Sequence, residues 1–381
     1  MTLTFVTNLI HHHQIPVADE FYKILGDSYH YIATEPLPDW LIKGGYDPTL
    51  DRSYIIRTYQ SKENLLEARR LIDESDIVIH GEAPIEWSLK RKKQNKVTFH
   101  YSERWIRKFN LHTISPRNLY SKYKYYFRFR NSRSYLLCAS AYAARDAHFY
   151  GCFPNRCFKW GYMTAVNNDV EASIRMLQHQ EPIPLMWCAR FLMLKHPELP
   201  VQLAARLKEK GYNFVINMYG SGEQLENTKE LIRKLDVNDC VNLCGNRPNA
   251  EILNEMRRHS IFLFTSDRNE GWGAVLNEAM SCGCVPIASD EIGSAPYLIK
   301  NGENGLLFKS CSLDSLEEAV ISIIDKPEKI VIMSQKAFMT INEVWSPKQA
   351  VNNFMELASH VLEGTLSEYM REEGPASWDR S

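Results

Sequence analysis

The feature that most constrains this sequence is a rhythm. Short β-branched runs alternate with amphipathic stretches, and the alternation occurs twice, on either side of a weakly patterned segment at 162–184. Thr2–Thr7, Ile77–Ile79, Val97–Phe99 and Tyr135–Ala139 read as strands, with Glu63–Ile72 as an intervening helix. In the second series Leu185–Ala189, Phe214–Tyr219, Val241–Cys244, Ile261–Phe264 and Val285–Ala288 alternate with helices around Val201–Lys208, Leu225–Leu235, Ala250–Arg258 and Trp272–Ser281. Strands that alternate with helices in this way predict parallel sheets covered on both faces. The expected fold class is α/β, with two Rossmann-like doubly wound domains, 1–165 and 166–345, whose strand-end loops face a central cleft. A helix over 346–363 carries Ala350, Val351, Phe354, Leu357, Ala358 and Val361 on one face and is expected to return to the first domain. The segment 364–381, with Gly374-Pro375, is expected to be a flexible tail.

The 381 residues exceed what one hydrophobic core supports, about 250–300. The nine Cys include none among the first 137 residues and show no zinc spacing, so free and mostly buried thiols are expected. No apolar run approaches the roughly 18 residues of a membrane span, and Met1–Ile10 has no basic n-region, which predicts a cytoplasmic protein. Charge is distributed unevenly. Between Lys90 and Arg133 there are fourteen Lys/Arg and one acid, Glu103, a net +13 that leaves −14 elsewhere. Such polarity points to an anionic partner.

The densest candidate site is Asp267-Arg268-Asn269-Glu270-Gly271-Trp272-Gly273-Ala274-Val275-Leu276-Asn277-Glu278-Ala279-Met280, directly after a strand. Gly271 and Gly273 remove side chains where a helix begins, so backbone N–H groups there can approach an anion such as a diphosphate. Glu270 and Glu278 are eight apart. On one helix they would lie about 12 Å apart along the axis and about 80° around it, which suits gripping separate parts of one long ligand better than flanking a single bond.

These residues resemble the family 4 glycosyltransferases of the GT-B fold, whose signature is Glu, seven residues, Glu, with Gly-x-Gly after the first Glu. The resemblance implies that Glu270 meets donor-sugar hydroxyls, that Glu278 binds the nucleotide ribose, and that Gly271, Trp272, Gly273, Ala274 and Val275 line the donor. It extends to Arg190 and Lys195 after the strand Leu185–Ala189, where a basic pair grips the diphosphate; this chain has His196 where the family usually has Gly. Gly220-Ser221-Gly222 matches the family's Gly-x-Gly turn facing the donor, and Asn246 and Arg247 its loop around the base. In the first domain His100 stands at a strand end that members place beside the reacting sugar. His12 and Arg104 are candidates for the acceptor side, although the first loop, His11-His12-His13, lacks the usual paired glycines.

The implied function is a retaining glycosyltransferase. It would move a hexose-type sugar from a nucleoside diphosphate sugar to a saccharide or lipid-linked acceptor, in cell-surface polysaccharide or glycoconjugate synthesis. Glu270, His100, Arg190 and Lys195 would act at the reacting centre, and no metal or bound cofactor is expected. A nucleotide-sugar epimerase of the same fold and a non-catalytic partner subunit remain as alternatives. The interleaved rings and cations of Tyr120–Arg130 would suit an anionic membrane surface or a single strand of nucleic acid, and equally a solvated helix with a few buried rings. Because many members of the family act on lipid-linked saccharides, peripheral membrane contact is the reading carried forward and nucleic acid is not.

Overall fold

Seven strands, β1 (Leu3–Thr7), β2 (Tyr29–Ala33), β3 (Ile55–Arg57), β4 (Ile77–His80), β5 (Val97–Ser102), β6 (Ser134–Cys138) and β7 (Cys157–Lys159), form a parallel sheet in the order β3-β2-β1-β4-β5-β6-β7. Six more, β8 (Ile183–Cys188), β9 (Phe214–Tyr219), β10 (Val241–Gly245), β11 (Ile261–Phe264), β12 (Val285–Ser289) and β13 (Leu306–Phe308), form a second parallel sheet in the order β10-β9-β8-β11-β12-β13. This computed structural model describes residues 1–43, 47, 49–165 and 181–381. The chain divides into two units, Met1–Ala165 with Trp345–Ser381, and Val166–Val344. Residues 166–180, where the sequence places the domain junction, lie outside the described residues.

Each sheet is doubly wound about a reversal in strand order, between β1 and β4 in the first unit and between β8 and β11 in the second. The central strands are buried along their whole length because helices cover both faces: every residue of β1, β4, β11 and β12 is buried. β10 stands at an edge and alternates accordingly, with Asn242 exposed between Val241 and Leu243.

The helix Pro347–Glu363 belongs to the first unit. Its Ser346 hydroxyl caps the N-terminus by accepting from the Gln349 amide. Phe354 is fully buried, with its ring centroid 5.5 Å from Phe21, 5.0 Å from Phe99 and 5.7 Å from Trp160.

The expectation of a flexible tail is corrected. Trp378 pairs antiparallel with Phe158 of β7, with ring centroids 4.6 Å apart, and its indole N–H donates to the Tyr369 carbonyl at 2.7 Å. Tyr369 O–H donates to the Ala376 carbonyl, and the Asn353 amide to that of Pro375, both at 2.9 Å. Gly374 and Pro375 are turn residues here. They bend the chain so that its end covers the β7 edge, which would otherwise present unpaired backbone groups.

Phe354→Ala should destabilise the first unit by about 3–5 kcal/mol, the usual cost of emptying a buried ring site. Urea unfolding should show the first transition moved to lower urea. An unchanged midpoint would place the helix outside that core.

Candidate functional site

The reversal of strand order between β8 and β11 leaves a crevice beyond their carboxyl ends, the usual ligand position in such sheets. The loops leaving these two strands are joined by one hydroxyl. The Trp187 indole N–H, on β8, donates to Thr265 Oγ1 at 2.9 Å, and that hydroxyl donates to the Lys195 carbonyl at 2.6 Å. The Asp267 amide donates to the Leu194 carbonyl at 2.9 Å. With its backbone so held, Lys195 reaches across to Glu270: the two side chains form an ion pair and are only 13% and 14% exposed. The cation on the β8 loop and the acid of the β11 loop therefore meet. Arg190, on the same β8 loop, is exposed and makes no ion pair among the described residues.

Gly220 explains how the β9 loop fits this arrangement. It adopts φ +130°, and a Cβ there would stand 2.0 Å from the Ala189 carbonyl oxygen, so only glycine lets the backbone lie against the segment that carries Arg190. The Phe191 amide donates to the Ser221 carbonyl at 2.9 Å, and Gly222 completes the turn. Asn246 and Arg247 follow β10 and are exposed, with Arg247 placed 3.6 Å from Glu251.

The helix expected from Trp272 begins at Val275. Gly273 delays it: at φ +81° the chain is left-handed, and a Cβ would meet Phe264 Cζ at 2.6 Å. The amides of Gly271, Gly273, Ala274 and Val275 donate to no backbone carbonyl among the described residues. The Trp272 side chain is corrected from a donor contact to a core residue. It is 1% exposed and its N–H donates to Asn277 Oδ1 at 2.8 Å, so its position can offer a ligand only backbone. Glu278 lies partly buried within the helix and accepts from the Asn249 side-chain amide at 3.0 Å. Burial raises its carboxyl above the usual value.

The first-unit candidates fare differently. His100 is corrected from a strand-end residue to a core residue. β5 runs on to Ser102, so His100 pairs inside the sheet with His80 and Leu136 and is 2% exposed. Its ring lies 4.6 Å from Phe129 and 5.4 Å from Phe153, and burial holds its pKa well below the usual value, which leaves a neutral ring without access to a ligand. His12 follows β1, the other strand-order reversal, and lies 3.8 Å from the ring of His13. Burial lowers the pKa of His11 to about 4 and that of His13 to about 3. Arg104 is 5% exposed, with its guanidinium 4.4 Å over the Tyr142 ring.

Three residues of the second-unit site escaped sequence reading: Thr265, Asp267 as a carrier of charge, and His196. A threonine directly after an apolar strand carries no pattern that distinguishes it from any loop residue. His196 was visible only as a departure from the expected glycine. The cysteines are all free, and only Cys311 is exposed. Among the described residues no group of three His, Cys, Asp or Glu could hold a metal ion, and no helix is long and apolar enough to cross a membrane.

Residues 174–339 match the family model described as glycosyl transferases group 1. An exopolysaccharide phosphotransferase of Streptomyces coelicolor is 24% identical over 175 residues, 46% of this chain and 18% of that protein. The amylovoran biosynthesis glycosyltransferase AmsK of Erwinia amylovora is 31% identical over 139 residues, 35% of this chain and 34% of the relative. The chain thus spans less than half the length of these curated relatives. The crystal structure of Anabaena Alr3699/HepE in complex with UDP superposes with a TM-score of 0.70 at 14% identity, covering 94% of this chain and all of that one. The fold is GT-B.

Thr265→Val keeps the shape of the side chain but leaves the Trp187 N–H and the Lys195 carbonyl without their shared partner. Urea unfolding should register a loss of about 2–3 kcal/mol. A loss below about 0.5 kcal/mol would mean that the hydroxyl does not hold the two loops together.

Proposed function

We propose that the second unit binds a nucleoside diphosphate sugar beyond the carboxyl ends of β8 and β11, and that the protein transfers the sugar to a saccharide or lipid-linked acceptor. The observation that carries this reading is the meeting of Lys195 and Glu270 beside backbone amides that have no carbonyl partner among the described residues. A leaving diphosphate gathers negative charge as the glycosidic bond breaks. Lys195, Arg190 and the amides from Gly271 to Val275 are the groups that would meet that charge, with Lys195 turning from Glu270 to do so. Glu270 would accept from sugar hydroxyls, and Glu278, deeper along the helix, from the ribose. The match to group 1 glycosyl transferases over 174–339 and the UDP in the complex of the Anabaena neighbour support the donor class. Transfer with retention of configuration, a hexose-type sugar and a role in surface polysaccharide synthesis complete the reading.

Separate roles for the two acids predict separate defects. Glu270→Ala should lose most turnover yet bind UDP, whereas Glu278→Gln should weaken UDP binding without costing stability. The sign follows from burial. A carboxyl whose folded pKa is raised destabilises the fold at every pH above its ordinary value of 4.5, and the neutral amide removes that cost. Calorimetry and thermal unfolding at pH 7 read both effects, and equal loss of UDP affinity in the two variants would remove the division. Arg190→Ala or Lys195→Ala should slow transfer on the order of 10²-fold, with activity surviving EDTA. Abolition by EDTA with rescue by Mg²⁺ would contradict the cationic pair as electrophile.

The acceptor side has its own observation. Leu111, Tyr120 and Phe109 are 85%, 67% and 61% exposed, beside exposed Arg107, Lys108 and Arg117. Much of the net +13 is spent internally. Arg91 is buried and donates to the carbonyls of Ile72, Ser75, Asp76 and Val97. Arg133 binds those of Val361 and Leu362, and Lys122 lies 4.9 Å over Trp105. Lys108 and Arg117 at about 1 kcal/mol each, with Arg107 held 3.9 Å from Glu103 and these apolar side chains beside them, suit reversible contact with an anionic bilayer. Co-sedimentation with phosphatidylglycerol vesicles at low salt should fall on raising the salt and in a Leu111→Ser/Arg107→Glu/Lys108→Glu variant. Equal sedimentation with neutral vesicles would favour a soluble acceptor.

A further inference from the structure

We infer that His196 is a positioning residue: its protonated imidazole clasps the β11 loop to the β8 loop and so makes diphosphate binding depend on pH. The inference rests on the donor-site reading above. His196 directly follows Lys195 and adopts φ +49°, ψ +56°, a left-handed conformation that is unfavourable for a side chain with a Cβ and that glycine adopts freely. The side chain compensates. Nδ1 lies 2.7 Å from Glu198 Oε1, at the start of the helix Glu198–Glu209, and Nε2 lies 3.5 Å from Asp267 Oδ2, three residues before Glu270. The residue that turns the Lys195 loop therefore also reaches the Glu270 loop.

Four charged or titratable groups surround the ring. Glu198 comes from the following helix, Asp267 from the β11 loop, Cys311 from the loop after β13 with its Sγ 3.4 Å from Nε2, and Lys195 precedes it with its ammonium turned to Glu270. An imidazolium donates from both nitrogens and satisfies both carboxylates. A neutral imidazole has one proton. With that proton on Nδ1 facing Glu198, Nε2 presents a lone pair, which the Cys311 thiol can meet as a donor and the Asp267 carboxylate cannot. Loss of the proton thus exchanges Asp267 for Cys311 and opens the clasp. The hydrogen bond to Glu198, aided by the charges of Glu198 and Asp267, raises the His196 pKa above 6.5. The contribution is therefore complete below pH 6.5 and lost as pH rises through the raised value.

The test is made on the full chain with UDP as the probe. Calorimetric titrations of wild type and His196→Gly are compared at pH 6 and pH 8.5, so that the ionisation of UDP itself cancels in their ratio. Glycine fits the left-handed position, and an unchanged circular dichroism spectrum shows that the fold is kept. Wild type should bind UDP about 3- to 10-fold more tightly than His196→Gly at pH 6, and within about 2-fold at pH 8.5, as expected for a charge-assisted contact. The imidazole resonance missing from the His196→Gly spectrum should titrate above 6.5 in wild type and at lower pH in Asp267→Asn. A binding ratio independent of pH, or a resonance that titrates at or below 6.5, overturns the role of His196 alone. A wild type that binds no UDP at either pH overturns the donor-site reading, and the ligand role of the clasp with it.

Discussion

The site depends on the Thr265 hydroxyl. It stands where the strand order reverses, accepts from Trp187 on one strand and donates to the Lys195 carbonyl on the loop of that strand. Because its own residue follows the neighbouring strand, this pair of hydrogen bonds, with the Asp267 amide on the Leu194 carbonyl, ties together two loops that are 70 residues apart in sequence. The contacts between the two loops accompany that spacing. Lys195 meets Glu270, the Asp267 amide reaches Leu194, and Arg190 is left facing solvent. The buried apolar strands underneath, Leu185–Trp187 and Ile261–Phe264, make the platform rigid enough for a single hydroxyl to matter.

Charge is handled by the same economy in both units. In the first, Arg91 and Arg133 use their guanidinium groups as multiple donors to backbone carbonyls, which buries Arg91 fully and Arg133 in part. In the second, burial works against Glu278, whose carboxyl is raised, and no ion pair among the described residues relieves it. A desolvated acid beside a single amide contributes nothing to folding that an uncharged residue would not, which fits the ligand role proposed for Glu278.

Much of this was legible in the sequence. The strands Phe214–Tyr219 and Ile261–Phe264 were delimited to the residue: Ile261–Phe264 is an unbroken apolar run, and Phe214–Tyr219 is one broken only at Asn217, each followed by turn residues. Tyr29–Ala33, Ile55–Arg57, Cys157–Lys159 and Leu306–Phe308 were missed. Three of them are three residues long, too short for periodicity, and Tyr29–Ala33 carries a His that interrupts the pattern. The charged residues of the site were visible as a motif, but which of them touch was not. The Lys195–Glu270 pair arises from hydrogen bonds between loops, and His100 was misplaced because a strand continued three residues, His100, Tyr101 and Ser102, beyond Val97–Phe99. The tail was misread for a similar reason: Gly374 and Pro375 mark a turn, and sequence alone does not say whether a turn leads away from the core or back to it.

The central claim is that the groups gathered by Thr265 hold a diphosphate, and diffraction from crystals grown with UDP tests it most directly. The account predicts phosphate oxygens within hydrogen-bond distance of Lys195 Nζ and of the amides near Gly273 and Ala274, with the ribose beside Glu278. UDP bound elsewhere in the second unit, with the Lys195–Glu270 pair left undisturbed, would contradict it.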